Sequence, residues 1–285
     1  MKNEHGLFEI GTNVPPQGIP IDKIRYLTMM EHEFEPREPE GAEYEATYVD
    51  FETTGLDTEN DEITSMGYVR FAFDDTSRVT RVVKTGLHLN CPTRDIPEHV
   101  TLLTGHTKEN LAGHKIEQWH FEDAFRGVEF ALAHNAKFDR RYVDRFWKAE
   151  PLIWGCTNAD LNLREKLMIP SGSLGVLMAY LKNTFFGHHN ALDDAWAGFF
   201  LADMFLPELI SKMFTEEYKV FAWGSDFESK DTLKTRGYKW EVNAPKCWVR
   251  DRVPADLIDE EMKWLEQYCH GKQNKVPVDK LQRHI

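Results

Sequence analysis

The 285-residue sequence predicts a mixed α/β domain followed by a small α+β module, on three observations. Three alternating apolar segments follow one another closely from residue 46 on. Short apolar runs then alternate with amphipathic helical patterns. Finally, the composition shifts after about residue 214. Residues 46–51, 63–73 and 79–89 read as strands, with Asp/Asn/Gly and Asp/Ser clusters between them as turn signals, which suggests an antiparallel meander. Residues 121–128 read as a helix, 130–134 as a short strand, 137–147 as a helix and 152–156 as another short strand. That alternation implies a mixed sheet with helices packed against it. Two apolar-faced helices, 174–181 and 191–204, close the domain.

The regions on either side read differently. Residues 1–44 are rich in proline and charge, and seven Glu stand against one Arg between Glu31 and Glu45, so most of this extension should be solvated. Only residues 21–30 look able to pack, and a peripheral arm or short helix lying on the domain is expected. Beyond the main domain (45–214), residues 217–285 form the predicted module. In it, 218–223 alternates like a strand, 228–236 is an amphipathic helix ended by Gly237, and 238–242 pairs with 246–250 as a hairpin around Asn243, Ala244 and Pro245. Pro254 should open a last helix running to about Tyr268.

Composition narrows the function classes. With 41% hydrophobic residues and 8 Trp, 18 Phe and 9 Tyr, the chain can bury a real core. A net charge of −13 argues against a protein that coats nucleic acid by counterion release, so a polyanion must be gripped locally. Cys91, Cys156, Cys247 and Cys269 form no Cys-x-x-Cys pair, which indicates neither a zinc ribbon nor a disulfide scaffold. No apolar run approaches the roughly 20 residues of a membrane span, and the first residues lack the apolar stretch of a signal peptide. A cytoplasmic location is expected.

Three motifs carry chemistry. Asp50-Phe51-Glu52-Thr53-Thr54-Gly55 ends the first strand. Strand alternation puts Asp50 and Glu52 on one face and Phe51 on the other. Two carboxylates on one face are costly unless a proton or a cation sits between them, the arrangement a divalent metal site uses. Apart from Phe51, the five residues Asp50, Glu52, Thr53, Thr54 and Gly55 are expected by chance about once in a million positions at roughly 6% usage per residue type. The second motif is His134-Asn135-Ala136-Lys137-Phe138-Asp139, in which Asn135 is placed to cap a helix carrying Asp139 in its first turn. Asp139 could equally be an acid complementing the helix dipole. The third is His188-His189-Asn190-Ala191-Leu192-Asp193-Asp194. His189 and Asp194 converge only if His189 lies in a loop ahead of the helix, because five residues turn an uninterrupted helix by about 140°. Chemistry alone does not choose between His188 and His189, or between Asp193 and Asp194.

These motifs, in this order and at these intervals, resemble the DEDDh branch of the DnaQ-like 3′-to-5′ exonucleases over about residues 45–206. Ile96-Pro97 and Leu103-Thr104-Gly105-His106-Thr107 are similar to a further family stretch, and Trp154, Cys156 and Thr157 fall where the family has a strand ending in Asp-Thr. The resemblance implies a ribonuclease H-like fold: a five-stranded mixed sheet with flanking helices. It implies that Asp50, Glu52, Asp139 and Asp194 hold two divalent ions, Mg²⁺ or Mn²⁺, ~3.5–4 Å apart, with His189 as general base. The family's His-x4-Asp spacing selects His189 and Asp194 over their neighbours. Thr53 would meet the terminal nucleotide through backbone groups, Leu56 would lie against its base, and Asn135 would touch substrate or hold the motif. Metals gripping one 3′ end also fit an acidic chain, since the cations supply the positive field.

The expected activity is metal-dependent 3′-5′ exonuclease hydrolysis releasing nucleoside 5′-monophosphates, with DNA favoured over RNA. An exoribonuclease is the alternative, because the 2′-OH is read by surrounding contacts rather than by the motif. A catalytically silent nucleic-acid-binding relative is the other. The expected partner is a single-stranded nucleic acid 3′ end and not a membrane; a homodimer and a polymerase or repair partner stay open. In the module, basic residues interleave with Trp223, Tyr238, Trp240 and Trp248, which either guide a single strand by stacking or form the module's core.

Overall fold

The computed structural model describes residues 27–242, 246–270 and 272–285. The described chain opens on a two-residue strand, β1 (Thr28–Met29), and an extended arm. Then come β2 (Glu43–Thr53), β3 (Ile63–Asp74) and β4 (Val79–Leu89), the antiparallel meander the alternation predicted. After α1 (Glu98–Thr104) and α2 (Gln118–Phe125), β5 (Phe130–Ala133) pairs parallel with β2; after α3 (Ala136–Phe146), β6 (Trp154–Cys156) pairs parallel with β5. The order β4-β3-β2-β5-β6 is the expected five-stranded mixed sheet with flanking helices. Next follow α4 (Leu163–Lys166), α5 (Leu174–Leu181), β7 (Thr184–Phe185) and the long α6 (Ala191–Phe214).

Alternation along β2 divides the core. Ala46 and Tyr48 face α5 and α6, together with Leu177, Phe199 and Ala202. Val49 and Phe51 face α2 and α3, together with Phe121, Ala124 and Tyr142. Asp50 and Glu52 continue the Ala46–Tyr48 row, which brings them out on the α6 side. Helix α6 runs ten residues beyond the predicted end at Met204. Its kink is there, at Phe205 (φ −130°), where Pro207 two residues later disturbs the preceding turn.

The C-terminal module is a second, four-stranded antiparallel sheet. It comprises β8 (Glu217–Ala222), β9 (Lys239–Glu241), β10 (Cys247–Pro254) and β11 (Asn274–Pro277) in the order β11-β8-β10-β9, with α7 (Lys230–Thr235) and α8 (Ile258–Cys269). The predicted hairpin is present, with Trp240 opposite Trp248; its turn, Asn243, Ala244 and Pro245, lies outside the described residues. Pro254 ends β10 rather than opening a helix, and α8 starts four residues later. The aromatics divide between the two roles weighed for them: Tyr238 and Trp248 are core, whereas Trp240 is half exposed.

The module is joined to the main sheet through one buried carboxylate. Asp160, in the turn after β6, accepts from the Cys156 amide (2.8 Å), Arg252 Nη1 (3.2 Å) and Arg283 Nη2 (2.9 Å), and pairs with His284 Nε2 at 3.0 Å. Arg140 of α3 donates to the carbonyls of Leu281 (2.6 Å) and Arg283. None of this joint is written as a local motif.

Candidate active site

The site is assembled where β2 outruns its neighbour. β2 pairs with β5 only over Ala46–Tyr48, so beyond that point its β5-side edge is open and the start of α3 moves in. Asp139, 3% exposed in the first turn of α3, takes up a hydrogen bond from the Phe51 amide there. Across the other edge, Asp50 stands opposite Gly67 of β3. A Cβ on Gly67 would lie 2.1 Å from the backbone carbonyl of Ala191 and 2.4 Å from the Leu192 nitrogen. The missing side chain therefore lodges the first turn of α6 against the sheet, and Gly198 does the same two turns on, where a Cβ would strike the Tyr48 ring at 2.1 Å. Neither glycine was singled out from sequence. A glycine inside an aromatic and β-branched strand, marking a close approach of another backbone, was the available signal.

This close approach delivers Asp194. Carboxylate oxygens of Asp50, Glu52 and Asp194 all lie within 4.8 Å of one another, the one such cluster of potential metal ligands among the described residues. Asp139 stands outside that set of three, although its charge is felt by Asp50. Of the two acids that chemistry alone does not separate, Asp193 turns away to His32 (3.0 Å), so Asp194 alone joins the cluster. His189 precedes α6 in a loop, with φ +62°, and its half-exposed ring places Nδ1 3.9 Å from Glu52 Oε1. Asn190 is the N-cap, accepting from the amides of Leu192 (3.1 Å) and Asp193 (3.3 Å).

The electrostatics are those of uncompensated charge. Burial pushes Asp50 well up, reinforced by Asp139, Asp194 and Glu52. Burial and the Asp194 charge raise Glu52 to about 7. Asp139 and Asp194 are likewise raised by burial, against the pull of backbone amides. Among the described residues, the only basic side chain within ion-pair distance of the four is the His189 imidazole. Asp194 Oδ2 is buried with no hydrogen-bond partner. An all-oxygen donor set with an orphaned carboxylate oxygen fits hard divalent cations of the Mg²⁺ or Mn²⁺ type.

The remaining expected residues are placed variously. Thr53 is buried, its hydroxyl donating to the Gly55 carbonyl (2.6 Å), and Thr54 closes the following turn through Asp61 (2.9 Å). Leu56 nearby in sequence is 87% exposed, a large apolar side chain presented to solvent. Asn135 does not cap α3 through its side chain: its backbone at φ −126°, ψ 63° leaves the cap without a side-chain hydrogen bond, and only its carbonyl accepts, from Phe138 (2.7 Å). It lines instead a cleft of ≈630 Å³ between α3 and the C-terminal module. A second cleft, ≈510 Å³, adjoins the acids and is lined by His188, His189, Asp194, Leu174, Tyr180 and Leu27 among others.

A family model described as the RNase T exonuclease matches residues 47–197, more than half of the chain. The chain belongs to the RNase T exonuclease family. That places it among the DnaQ-like exonucleases, and the matched residues contain all four acids and His189. The chain is 35% identical over 159 residues to the PolC-type DNA polymerase III of Thermotoga maritima, a match covering 53% of this chain and 11% of the polymerase. It therefore spans about a tenth of that relative's length. Among solved structures, one of exonuclease I has a TM-score of 0.51 at 15% identity, covering 80% of this chain and 69% of that one. E. coli exonuclease I in complex with a dA16 oligonucleotide gives 0.50 at 16% identity with the same coverage. These two likenesses concern the fold. Among the described residues, no helix is long and apolar enough to cross a membrane.

Proposed function

We propose that this family member is a metal-dependent 3′-5′ exonuclease of the DEDDh type, releasing nucleoside 5′-monophosphates from single-stranded ends, DNA in preference to RNA. The observation that carries the reading is the convergence of Asp50, Glu52 and Asp194 oxygens within 4.8 Å beside His189 and a ≈510 Å³ cleft. Asp50, Glu52, Asp194 and Asp139 would hold two Mg²⁺ or Mn²⁺ ions. Bound there, the ions would supply Lewis-acid stabilisation of the phosphate and of the departing 3′ oxygen.

The chain's own residues account for the rest. His189 accepts the proton of the attacking water as the water oxygen bonds to phosphorus and the P–O3′ bond breaks; such a base is worth about 10²–10⁴ in rate. Its half-exposed ring, free of any hydrogen bond to Glu52, can turn toward a substrate. Leu56 offers an apolar surface for the terminal base, and the backbone at Thr53 offers groups to its sugar. The preference for DNA rests on the third motif, His-Asn-Ala-Leu-Asp-Asp-Ala, which is closer to proofreading-type relatives than to ribonuclease T; the PolC-type polymerase as a relative agrees. A cytoplasmic location and a polymerase or repair partner belong to the same reading.

The test is a time course on matched single-stranded DNA and RNA, each labelled at the 5′ end and, separately, at the 3′ end, with Mn²⁺ and with chelator. The proposal expects a descending ladder from the 5′ label, immediate mononucleotide from the 3′ label, faster loss of DNA, and neither with chelator or in Asp50→Ala. Mononucleotide released first from the 5′ label would overturn the direction, and faster RNA loss would favour the exoribonuclease.

A further inference from the structure

The arm ahead of the family domain is not a loose extension. Helix α6 presents Trp196, Phe199 and Phe200, all under 10% exposed, and residues 30–37 help to cover them. The His32 ring stacks on Trp196 with centroids 5.3 Å apart and planes within 7°, while its Nε2 pairs with Asp193. Phe34 packs edge-on to Phe199 at 5.4 Å, and Arg37 grips both oxygens of Asp203 at 2.6 and 3.0 Å. From His32 to Arg37 an extended chain advances ~17 Å, and from Asp193 to Asp203 a helix rises ~15 Å. The two lengths match, so the arm runs beside the helix in register.

Its leading end reaches the loop that carries His189. β1 pairs parallel with β7, with Thr28 at Thr184 and Met29 at Phe185. The Thr28 amide donates to Asn183 (2.9 Å) and the Met30 amide to Phe185 (2.8 Å). Residues 186–190 are thus bracketed, by β1 on β7 before them and by His32 on Asp193 just after. Within this bracket His189 holds φ +62°, a left-handed conformation that a non-glycine residue keeps only where its surroundings impose it. Leu27, 39% exposed, lines the same cleft as His189 and Asp194. The arm residues 27–37 that make these contacts lie outside residues 47–197, so the family domain alone does not supply them.

We propose that residues 27–37 form a strap that positions the His189 loop, with His32 and the β1 backbone as positioning elements and Leu27 as a wall for the terminal nucleotide. This rests on the exonuclease reading of the site. Losing the strap misplaces a base rather than removing one, and a misplacement of about 1 Å costs up to about 100-fold.

The experiment uses the full chain and three variants: Thr28→Pro, which deletes the amide bonded to Asn183; His32→Ala; and Leu27→Ala. Steady-state hydrolysis of a single-stranded oligonucleotide is measured beside hydrogen exchange of the amides at 183–190. Thr28→Pro and His32→Ala should lower kcat by about tenfold or more with little change in KM, and exchange at 183–190 should accelerate about tenfold in both. His32→Phe, which keeps the stack on Trp196, should recover part of the loss. Leu27→Ala should act on KM instead, by about threefold to tenfold. Unchanged exchange and unchanged kcat in Thr28→Pro and His32→Ala overturn the strap. If the unmodified protein shows no hydrolysis, the exonuclease reading fails; accelerated exchange would still establish the strap's hold on the loop.

Discussion

Two groups of buried acid lie at the C-terminal ends of parallel strands of one sheet, and they are treated in opposite ways. At the end of β2, Asp50, Glu52, Asp139 and Asp194 are gathered with no arginine or lysine in ion-pair reach among the described residues, and burial drives all four upward. After β6, Asp160 is equally enclosed, its side chain 3% exposed, and burial would raise it too. Yet His284, Arg283 and the Cys156 amide more than offset that cost and hold it below the ordinary carboxylate range. The same residue type at the same end of the sheet is in one place neutralised by the chain and in the other left for something the chain does not carry. The compensated buried acid is a joint between two modules; the uncompensated cluster is where the proposed function places cations.

The contrast can be broken by substitution. Replacing Asp50 with Ala should lower hydrolysis by at least about 10³-fold while raising the stability of the metal-free protein by ~1–2 kcal/mol, because a source of repulsion is removed. Single-turnover rates and urea midpoints measured on one preparation check both. Asp160→Ala should do the reverse to stability: leaving Arg252 and Arg283 facing an empty site destabilises by about 3–5 kcal/mol, read as a drop in urea midpoint. If the two substitutions shift stability in the same direction, the distinction between site and joint is wrong.

A smaller effect sharpens the comparison at the packing level. Gly67→Ala puts a methyl into the backbone of Ala191 and Leu192, which cannot swing aside as a side chain would. The cost should be about 1–3 kcal/mol, with kcat lowered up to about 100-fold because Asp194 is carried away from Asp50. Gly86→Ala, whose methyl is nearest the Tyr68 and His88 rings, is the control on the same sheet and should leave kcat near its original value.

Smallest of all, the two groups should impose opposite slopes of stability against pH. Glu52, raised in the fold to about 7, binds more protons folded than unfolded, so its contribution is full below about pH 4 and is lost as pH climbs to 7. Asp160, held low, contributes above the ordinary carboxylate range and loses that contribution as acid takes the pH down through its folded value. Subtracting the pH profile of Glu52→Gln from that of the unmodified protein should leave a difference that falls between pH 4 and 7. The same subtraction with Asp160→Asn should leave one that rises from low pH.

What the sequence disclosed follows the range of the interactions concerned. Period-two alternation placed β3 and β4 almost to the residue, and it put Asp50 and Glu52 on one face, because strand geometry is local. The loop position of His189 was likewise legible from its five-residue offset to Asp194. Contacts between distant segments were not. Asn135 looked like a cap, but the helix starts with a backbone conformation that turns its side chain outward. The arm looked solvated by its glutamates, while the residues that anchor it, His32, Phe34 and Arg37, are single side chains whose partners lie some 160 positions away. The Asp160 joint gathers residues from three segments, each unremarkable in its own stretch. Gly67 sat in plain view, yet its meaning depends on which backbone crosses it.

If the acids at the end of β2 form a cation site, their mutual repulsion destabilises the metal-free fold until divalent cations relieve it. Thermal unfolding at pH 8 of metal-free protein, unmodified and Asp50→Asn, as Mg²⁺ is titrated in, tests it most directly. The unmodified protein should begin with the lower midpoint and overtake the variant as Mg²⁺ saturates, while the variant responds weakly. A midpoint indifferent to Mg²⁺, or one that rises equally in both proteins, would contradict it.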